Sequence, residues 1–150
     1  AGSPIVGLTL THDQRLYGSA LHNNAGAVTG TTNQYIASGT YTPGLTNVAN
    51  LDASTAYECQ WIRVGNVVHV SGKVDVNPTT TTTSTQLGVA LPIASNIGAV
   101  EDCAGTAAPV ISSPAAAIIG DATNNRAQMQ WIAGSVNNHE MYFTFTYEVI

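Results

Sequence analysis

A two-residue Gly-Asn turn between two alternating strands is the feature that most limits how this chain can fold. The stretch TAYECQWIRVGNVVHVSGKVDVN, residues 55–77, places Gly65 and Asn66 between two runs of alternating apolar residues. Gly tolerates positive φ and Asn tolerates left-handed geometry, so the pair suits a primed hairpin turn, which fixes the strand register. Counting outward predicts the pairs Val64–Val67, Arg63–Val68, Ile62–His69, Trp61–Val70, Gln60–Ser71, Cys59–Gly72, Glu58–Lys73 and Tyr57–Val74.

This register predicts what each face of the hairpin carries. The residues expected in the core are Tyr57, Cys59, Trp61, Val68, Val70 and Val74. The outer face has Glu58 opposite Lys73, an expected exposed ion pair that contributes only about 0.2 to 1 kcal/mol. Near the turn the outer face becomes apolar, with a group formed by Ile62, Val64, Val67 and His69. We expect a neighbouring chain to cover this group as an interface, although a second sheet or the N-terminal arm could cover the same residues.

Short strands and turn signals alternate along the rest of the chain. Pro and Gly residues divide the Ala-rich stretch 103–121 into two short strands instead of a helix. The runs NRAQMQWIA and HEMYFTFTYEVI alternate strictly on either side of GSVNNH and predict a second hairpin. Its inward residues are expected to be Met129, Trp131, Met141, Phe143, Phe145, Tyr147 and Val149. Turn signals roughly every 8 to 12 residues indicate an all-β fold, an antiparallel β-sandwich resembling a jelly roll.

The first part of the chain has a different pattern. Residues 1–34 have weak periodicity and many Gly, Asn and Thr residues, which predicts an irregular N-terminal arm or stem segment. Residues 35–150 are then the β-sandwich domain. The chain opens with AGSP and lacks an initiator Met, which favours a piece of a longer protein. No apolar run approaches the roughly 20 residues of a membrane-spanning helix, so we expect no membrane insertion.

Charged residues are unusually few. Asp, Glu, Lys and Arg make up 9% of the chain, and the formal net charge is -5, whereas ordinary soluble domains contain roughly 25% of these residues. Because phosphate backbones require a basic surface, we expect no nucleic-acid partner. Of the two cysteines, Cys59 falls on the predicted core face, and a free buried thiol is the expected state, although a bridge to Cys103 stays open.

No catalytic or metal-binding pattern stands out. Adjacent Glu101 and Asp102 would face opposite ways on a strand, whereas a glycosidase needs two carboxylates that converge about 5 to 10 Å apart. The stretch GDATNN, residues 120–125, lacks the terminal Glu of an EF-hand loop and predicts an Asx turn. The four histidines, at positions 12, 22, 69 and 139, lack the spacing of metal ligands. The sequence gives no support for an enzyme, and we expect neither a metal nor a cofactor.

Polar loop tips are the candidates for ligand contact. Trp61 and Trp131 could stack on sugars, but both fall on predicted core faces. Amide groups and ring nitrogens at loop tips suit the recognition of hydroxyl groups, although Asn-rich tips are also what hairpins use to turn. The predicted ligand-binding residues are Asn124, Asn125, Arg126, Asn137, Asn138, His139 and Tyr142.

The stretch QWIRVGNVVHVSGKVDV, followed by LGVALPIASN and by the final MYFTFTYEVI, resembles the C-terminal β-domains of bacteriophage tail fibres and related virion proteins. The likeness covers roughly residues 35–150. It implies an extracellular, homotrimeric module at the tip of a virion fibre, which binds a glycan or protein receptor on the host surface. It leaves open a structural trimerisation or capsid-decorating domain without ligand, and a non-catalytic C-terminal module of a carbohydrate-active tailspike. The resemblance assigns no catalytic or receptor-binding residue.

Overall fold

The computed structural model describes residues 36–111 and 113–150, so the predicted N-terminal arm lies outside the described residues. The strands are β1 (Ile36–Tyr41), β2 (Leu45–Ala49), β3 (Leu51–Ala56), β4 (Cys59–Val64), β5 (Val67–Pro78), β6 (Ser84–Val89), β7 (Cys103–Pro109), β8 (Ala116–Asp121), β9 (Arg126–Ile132) and β10 (His139–Glu148). A 3₁₀ turn, Val100–Asp102, precedes β7. The described part of the chain contains no α-helix, and no helix there could cross a membrane. The all-β prediction is confirmed.

The ten strands of residues 36–111 and 113–150 belong to one antiparallel sheet that curls on itself. The strand order is β1-β4-β5-β10-β7-β8-β9-β6-β2, and β3 pairs with β5. Consecutive strands β2 and β3 therefore pair near opposite ends of the order, so the sheet must curl to bring those ends towards each other. The Ser54 hydroxyl of β3 donates to Asn47 Oδ1 of β2 at 2.6 Å across this approach.

The corner between β2 and β3 is held by Asn50. Its backbone has a φ of 54°, a left-handed conformation that Asn adopts more readily than most residues. The side-chain Nδ2 donates to the Thr80 carbonyl at 2.8 Å and to Thr85 Oγ1 at 2.7 Å. The Oδ1 atom accepts from Thr79 Oγ1 at 2.6 Å and from the Thr80 N–H at 2.9 Å. One side chain thus ties the corner to the 79–85 turn region.

The Gly65-Asn66 hairpin forms in the predicted register, from Val64 opposite Val67 to Gln60 opposite Ser71. Beyond Ser71 the register shifts by one residue from the predicted one, because Val74 pairs with Ala56 and not with Tyr57. Residues 57–59 therefore face residues 72–73, which makes a bulge between β3 and β4.

The bulge corrects two predictions. Tyr57 is turned outward, is 38% exposed and donates its hydroxyl to Asp75 Oδ2 at 2.8 Å. The expected ion pair of Lys73 with Glu58 is wrong, because Lys73 Nζ lies 2.6 Å from Glu140 Oε1 on β10. The Glu58 carboxylate instead accepts a 3.2 Å hydrogen bond from Thr40 Oγ1 on β1.

The predicted hairpin of the last two strands is also wrong. β9 lies between β8 and β6, whereas β10 lies between β5 and β7. Alternation identified each strand correctly, because one face of each is buried. It could not identify the partner, because any strand of suitable length and pattern offers the same backbone hydrogen bonds. The Ala-rich stretch does form the two predicted strands, β7 and β8.

The core fills the concave inside of the curl. Of the residues predicted there, those confirmed as buried are Cys59, Val68, Val70, Val74, Met129, Trp131, Met141, Phe143, Phe145 and Tyr147. Each large apolar side chain removed from water contributes roughly 1.5 to 3 kcal/mol. Trp61 and Val149 are only partly buried, packed at the edge of this core. Cys59 and Cys103 are both buried and free; burial raises the pKa of the Cys103 thiol to about 12.

Candidate functional site

A shallow groove crosses the outer face of the sheet from β1 to β10. Its floor is a row of polar side chains, in which Thr40 faces Gln60, Gln60 faces Ser71, and Ser71 faces Thr144. Ser71 and Thr144 are short, and longer side chains stand in the rows on both sides. We call this feature the cross-strand groove.

Two open depressions make up the groove. The first encloses about 500 Å³, and its lining includes Ser38, Thr40, Gln60, Ile62, His69 and Ser71. The second encloses about 410 Å³, and its lining includes Glu58, Gln60, Ser71, Lys73 and Tyr142. Both depressions are lined by Gln60 and Ser71, so they adjoin each other at those two residues.

Lys73 and Tyr142 line one side of the groove. Together with Tyr57, Asp75 and Glu140, which contact them, they form a cluster that we call the tyrosine wall. Lys73 Nζ lies 2.6 Å from Glu140 Oε1, 3.9 Å from Asp75 Oδ1 and 3.8 Å from the centre of the Tyr57 ring. The Tyr142 hydroxyl donates to Glu140 Oε2 at 3.0 Å. With the Tyr57 hydroxyl bonded to Asp75, both phenol groups of the wall are held in place.

The charges of the tyrosine wall are fixed by these contacts. The hydrogen bond to Glu140 raises the pKa of Lys73, and the same bond lowers the pKa of Glu140. Hydrogen bonds to the carboxylates raise the pKa of Tyr142 and of Tyr57. At neutral pH the wall therefore holds an ammonium group and neutral phenols, and Glu140 is a carboxylate.

The opposite side of the groove is formed by Ile62 and His69. Thr144 Oγ1 donates to the Val70 carbonyl at 3.0 Å, so its single hydrogen is already used. It must then accept from His69 Nε2, which lies 3.2 Å away. His69 Nδ1 lies 3.1 Å from Thr146 Oγ1. These contacts fix the orientation of the ring, with a hydrogen on Nε2.

A hydrophobic patch adjoins that side of the groove. Its members are Ile36, Ile62, Val64 and Val67, which are 50%, 44%, 54% and 49% exposed. Ile36 faces Val64, and Val64 faces Val67, across strands β1, β4 and β5. The structure thus brings together the predicted interface residues, with exposed His69 beside them. Ile36 was missed because the sequence did not show that β1 pairs with β4.

The predicted ligand residues at the β8–β9 turn are used to build that turn. Asp121 Oδ2 accepts hydrogen bonds from the side-chain Nδ2 of Asn124 and from Arg126 Nε, both at 2.8 Å. Asp121 Oδ1 accepts from the backbone N–H of Asn124 at 3.2 Å. Asn125 has a φ of 51°. Burial alone would raise the pKa of Asp121, but the hydrogen bonds from Asn124 and Arg126 outweigh it and lower the pKa. The predicted turn is present, but Asp121 binds the N–H three residues on and not two, so it is not an Asx turn in the strict sense.

The predicted ligand residues of the β9–β10 loop lie away from the β8–β9 turn. Asn137 and Asn138 are exposed, but His139 is only 5% exposed, so its predicted place at an accessible tip is wrong. Its Nδ1 lies 2.7 Å from the Asn137 carbonyl, which draws the ring inward. The two loops lie at opposite ends of β9 and do not form one site. Tyr142, 49% exposed, is the one predicted ligand residue on the groove.

A smaller depression of about 310 Å³ lies beside Asn125, lined also by Ala94, Ser95, Asn96 and Ile150. The Ser95 hydroxyl donates to the Glu148 carbonyl at 2.8 Å and accepts from the Ile150 N–H at 3.0 Å. The Ser95 hydroxyl is therefore already hydrogen-bonded to the backbone of Glu148 and Ile150. The cross-strand groove is the better candidate for a ligand.

Sequence reasoning placed Gln60, Ser71 and Lys73 on the outer face of the hairpin but did not identify them as a site. The missing information was the pairing of β5 with β10, which adds Thr144 and Tyr142. Within residues 36–111 and 113–150, no group of three or more His, Cys, Asp or Glu side chains could hold a metal ion. Comparisons with protein-family models, with curated proteins and with solved structures gave no match.

Proposed function

We propose that this chain is a non-enzymatic tip domain of a bacteriophage virion fibre, which attaches the particle to its host by binding a surface receptor in the cross-strand groove. The observation that carries the proposal is the groove itself: a polar floor of hydroxyl and amide groups, lined on one side by the fixed ring of Tyr142. Such groups suit a hydroxyl-rich ligand, and exposed, fixed aromatic rings are common at binding surfaces. The resemblance of residues 35–150 to fibre domains supports the biological setting.

In this proposal the two halves of the curled sheet pack as a jelly-roll-like sandwich outside the cell. Three copies associate through the hydrophobic patch, which would remove exposed Ile62, Val64 and Val67 from water. The groove then borders the interface, with its tyrosine wall on the side away from the patch. Neither nucleic acid nor membrane insertion has a part in this function.

Binding to host cells tests the proposal. Ser71→Tyr places a large side chain on the groove floor, between Gln60 and Thr144, and should abolish attachment of the labelled domain. Thr123→Tyr introduces the same side chain at an exposed position of the β8–β9 turn and should leave attachment unchanged. Equal melting temperatures show that both variants are folded. Full attachment by folded Ser71→Tyr would contradict binding in the groove.

The hydrophobic patch favours a second candidate, a structural trimerisation or capsid-decorating domain without a ligand. A trimer that binds neither host cells nor host polysaccharide would support this candidate over the first. A third candidate is a non-catalytic C-terminal module of a carbohydrate-active tailspike. Under all three, the isolated chain should release no product from host polysaccharide in a turnover assay.

A further inference from the structure

We infer that the ligand of the cross-strand groove is an uncharged oligosaccharide that lies across the strands and not along them. This inference rests on the proposed attachment function and adds the chemical class and the orientation of the receptor.

The spacing of the groove floor indicates the orientation. Thr40, Gln60, Ser71 and Thr144 occupy one level of adjacent strands. Neighbouring strands lie about 4.8 Å apart, so Thr40, Gln60 and Ser71 present a polar group at each of two steps, about 10 Å in all. The Thr144 hydroxyl, one strand further on, is already bonded to Val70 and His69. Each step between strands is close to the length of one ring in an extended sugar chain, and hydroxyl and amide groups both donate and accept hydrogen bonds, as sugar hydroxyls require. A chain laid across the strands therefore meets a new polar group at each ring.

The tyrosine wall provides a surface for the less polar face of a sugar ring. Tyr142 is half exposed, and its hydroxyl is bonded to Glu140, so the ring is available while its orientation is fixed. Tyr57 is held in the same way by Asp75 and by the Lys73 ammonium over its ring. Because these side chains are ordered before binding, the ligand does not have to meet the entropic cost of fixing them.

The charge of the groove indicates an uncharged ligand. At and around the tyrosine wall there are three carboxylates, Glu58, Asp75 and Glu140. Among the described residues there, the only ammonium group is that of Lys73, so negative charge is in excess. That ammonium is already in contact with Glu140 at 2.6 Å. A sialic acid carboxylate or a sulfate placed here would meet an excess of negative charge, which disfavours it. Neutral hydroxyl groups can donate to the same carboxylates without this repulsion.

An oligosaccharide array with matched pairs tests the inference. The probes are neutral galactose, glucose and N-acetylhexosamine chains, each beside its sialylated and sulfated forms. The full polypeptide chain should bind the neutral oligosaccharides. Its affinity for the sialylated or sulfated form of the same oligosaccharide should be at least tenfold lower. Its affinity for the neutral chain should be the same at low and high salt, because no ion pair is formed.

Three variants locate the bound oligosaccharide. Ser71→Tyr should abolish binding of the neutral oligosaccharides. Tyr142→Ala should weaken it about tenfold, because a ring contact worth about 1.4 kcal/mol is lost. Tyr142→Phe should bind more tightly than Tyr142→Ala but more weakly than the wild type, because it keeps the ring and loses the bond to Glu140 that fixes the ring. Neutral binding that survives Ser71→Tyr would overturn the groove as its site.

The outcomes separate the inference from the proposed function. A preference for sialylated or sulfated chains that Ser71→Tyr removes would overturn the inference and leave attachment through the groove intact. Attachment to cells through the groove without binding of any oligosaccharide would also overturn the inference, and would indicate a protein receptor. Binding to neither cells nor oligosaccharides would overturn both.

Discussion

Lys73 on β5 donates a 2.6 Å hydrogen bond from Nζ to Glu140 Oε1 on β10, and this pair organises one side of the cross-strand groove. The other oxygen of Glu140, Oε2, accepts a hydrogen bond from the Tyr142 hydroxyl, and the Lys73 ammonium lies over the Tyr57 ring. Because both charged side chains keep some contact with water, the pair adds little to the stability of the fold. Its main consequence is the fixed position of the two tyrosines.

The first prediction concerns this pair. Lys73→Met should raise the pKa of Glu140 towards its ordinary value, because the ammonium that favours the carboxylate is removed. Carboxyl carbon chemical shifts, followed by NMR as pH is lowered, measure the change directly. The stabilisation from the pair should be present above about pH 4.5 and disappear as the pH falls through the lowered pKa of the folded protein. Arg126→Met, which removes a cation bonded to Asp121, is the control, and an unchanged Glu140 titration in Lys73→Met would contradict the prediction.

The second prediction compares the two tryptophans. Trp131 is 5% exposed in the core, so Trp131→Ala should lower the free energy of unfolding by about 3 to 5 kcal/mol. Trp61→Ala should cost less, because Trp61 lies at the edge beside Gly39 and is only partly buried. Urea unfolding of both variants provides the comparison. An equal or larger loss for Trp61→Ala would mean that the β1 edge is more enclosed than we describe.

The third prediction concerns the corner between β2 and β3. Asn50→Ala should lower the free energy of unfolding by about 2 to 3 kcal/mol, because it removes bonds worth about 0.5 to 1.5 kcal/mol each and strains the left-handed backbone. Asn50→Gly loses the same side-chain bonds but relieves the strain, so it should cost less than Asn50→Ala. Guanidinium unfolding gives both values. A loss below about 0.5 kcal/mol for Asn50→Ala would show that the corner does not hold the curled sheet together.

The fourth prediction concerns assembly. The purified domain should have a mass of three times 15.5 kDa by light scattering at micromolar concentration. Val67→Glu should dissociate this trimer, because a carboxylate buried without a partner costs several kcal/mol, and Glu148 faces the same position. Val48→Glu makes the same substitution at an exposed valine of β2 and should leave the trimer intact. A wild-type mass of 15.5 kDa would reject the trimer, and a trimer indifferent to Val67→Glu would exclude the hydrophobic patch as its interface.

Local chemistry made part of this fold predictable. The Gly65-Asn66 turn determined the register as far as Gln60 and Ser71, and alternation identified the buried side of β10. The bulge at residues 57–59 was not predictable, because the exposed contacts of Tyr57 with Asp75 and Lys73 depend on neighbouring strands.

The candidate site was predictable to the same extent. Gln60 and Ser71 follow from the hairpin register alone, whereas Thr144 joins them only through the pairing of β5 with β10. That pairing connects residues far apart in sequence, and alternation within each strand carries no information about it. The Asn residues of the loop tips were chosen for their chemistry, but Asn124 is used in its own turn.

The most direct test of the central claim is an NMR titration of the labelled domain with host-surface polysaccharide, which maps the residues in contact. If the cross-strand groove is the receptor site, the signals of Gln60, Ser71, Tyr142 and Thr144 should shift together and saturate at one ligand concentration. The loop residues Asn124 and Asn138, at opposite ends of β9, should remain unchanged. Shifts confined to those loops, with the groove residues unaffected, would contradict the account.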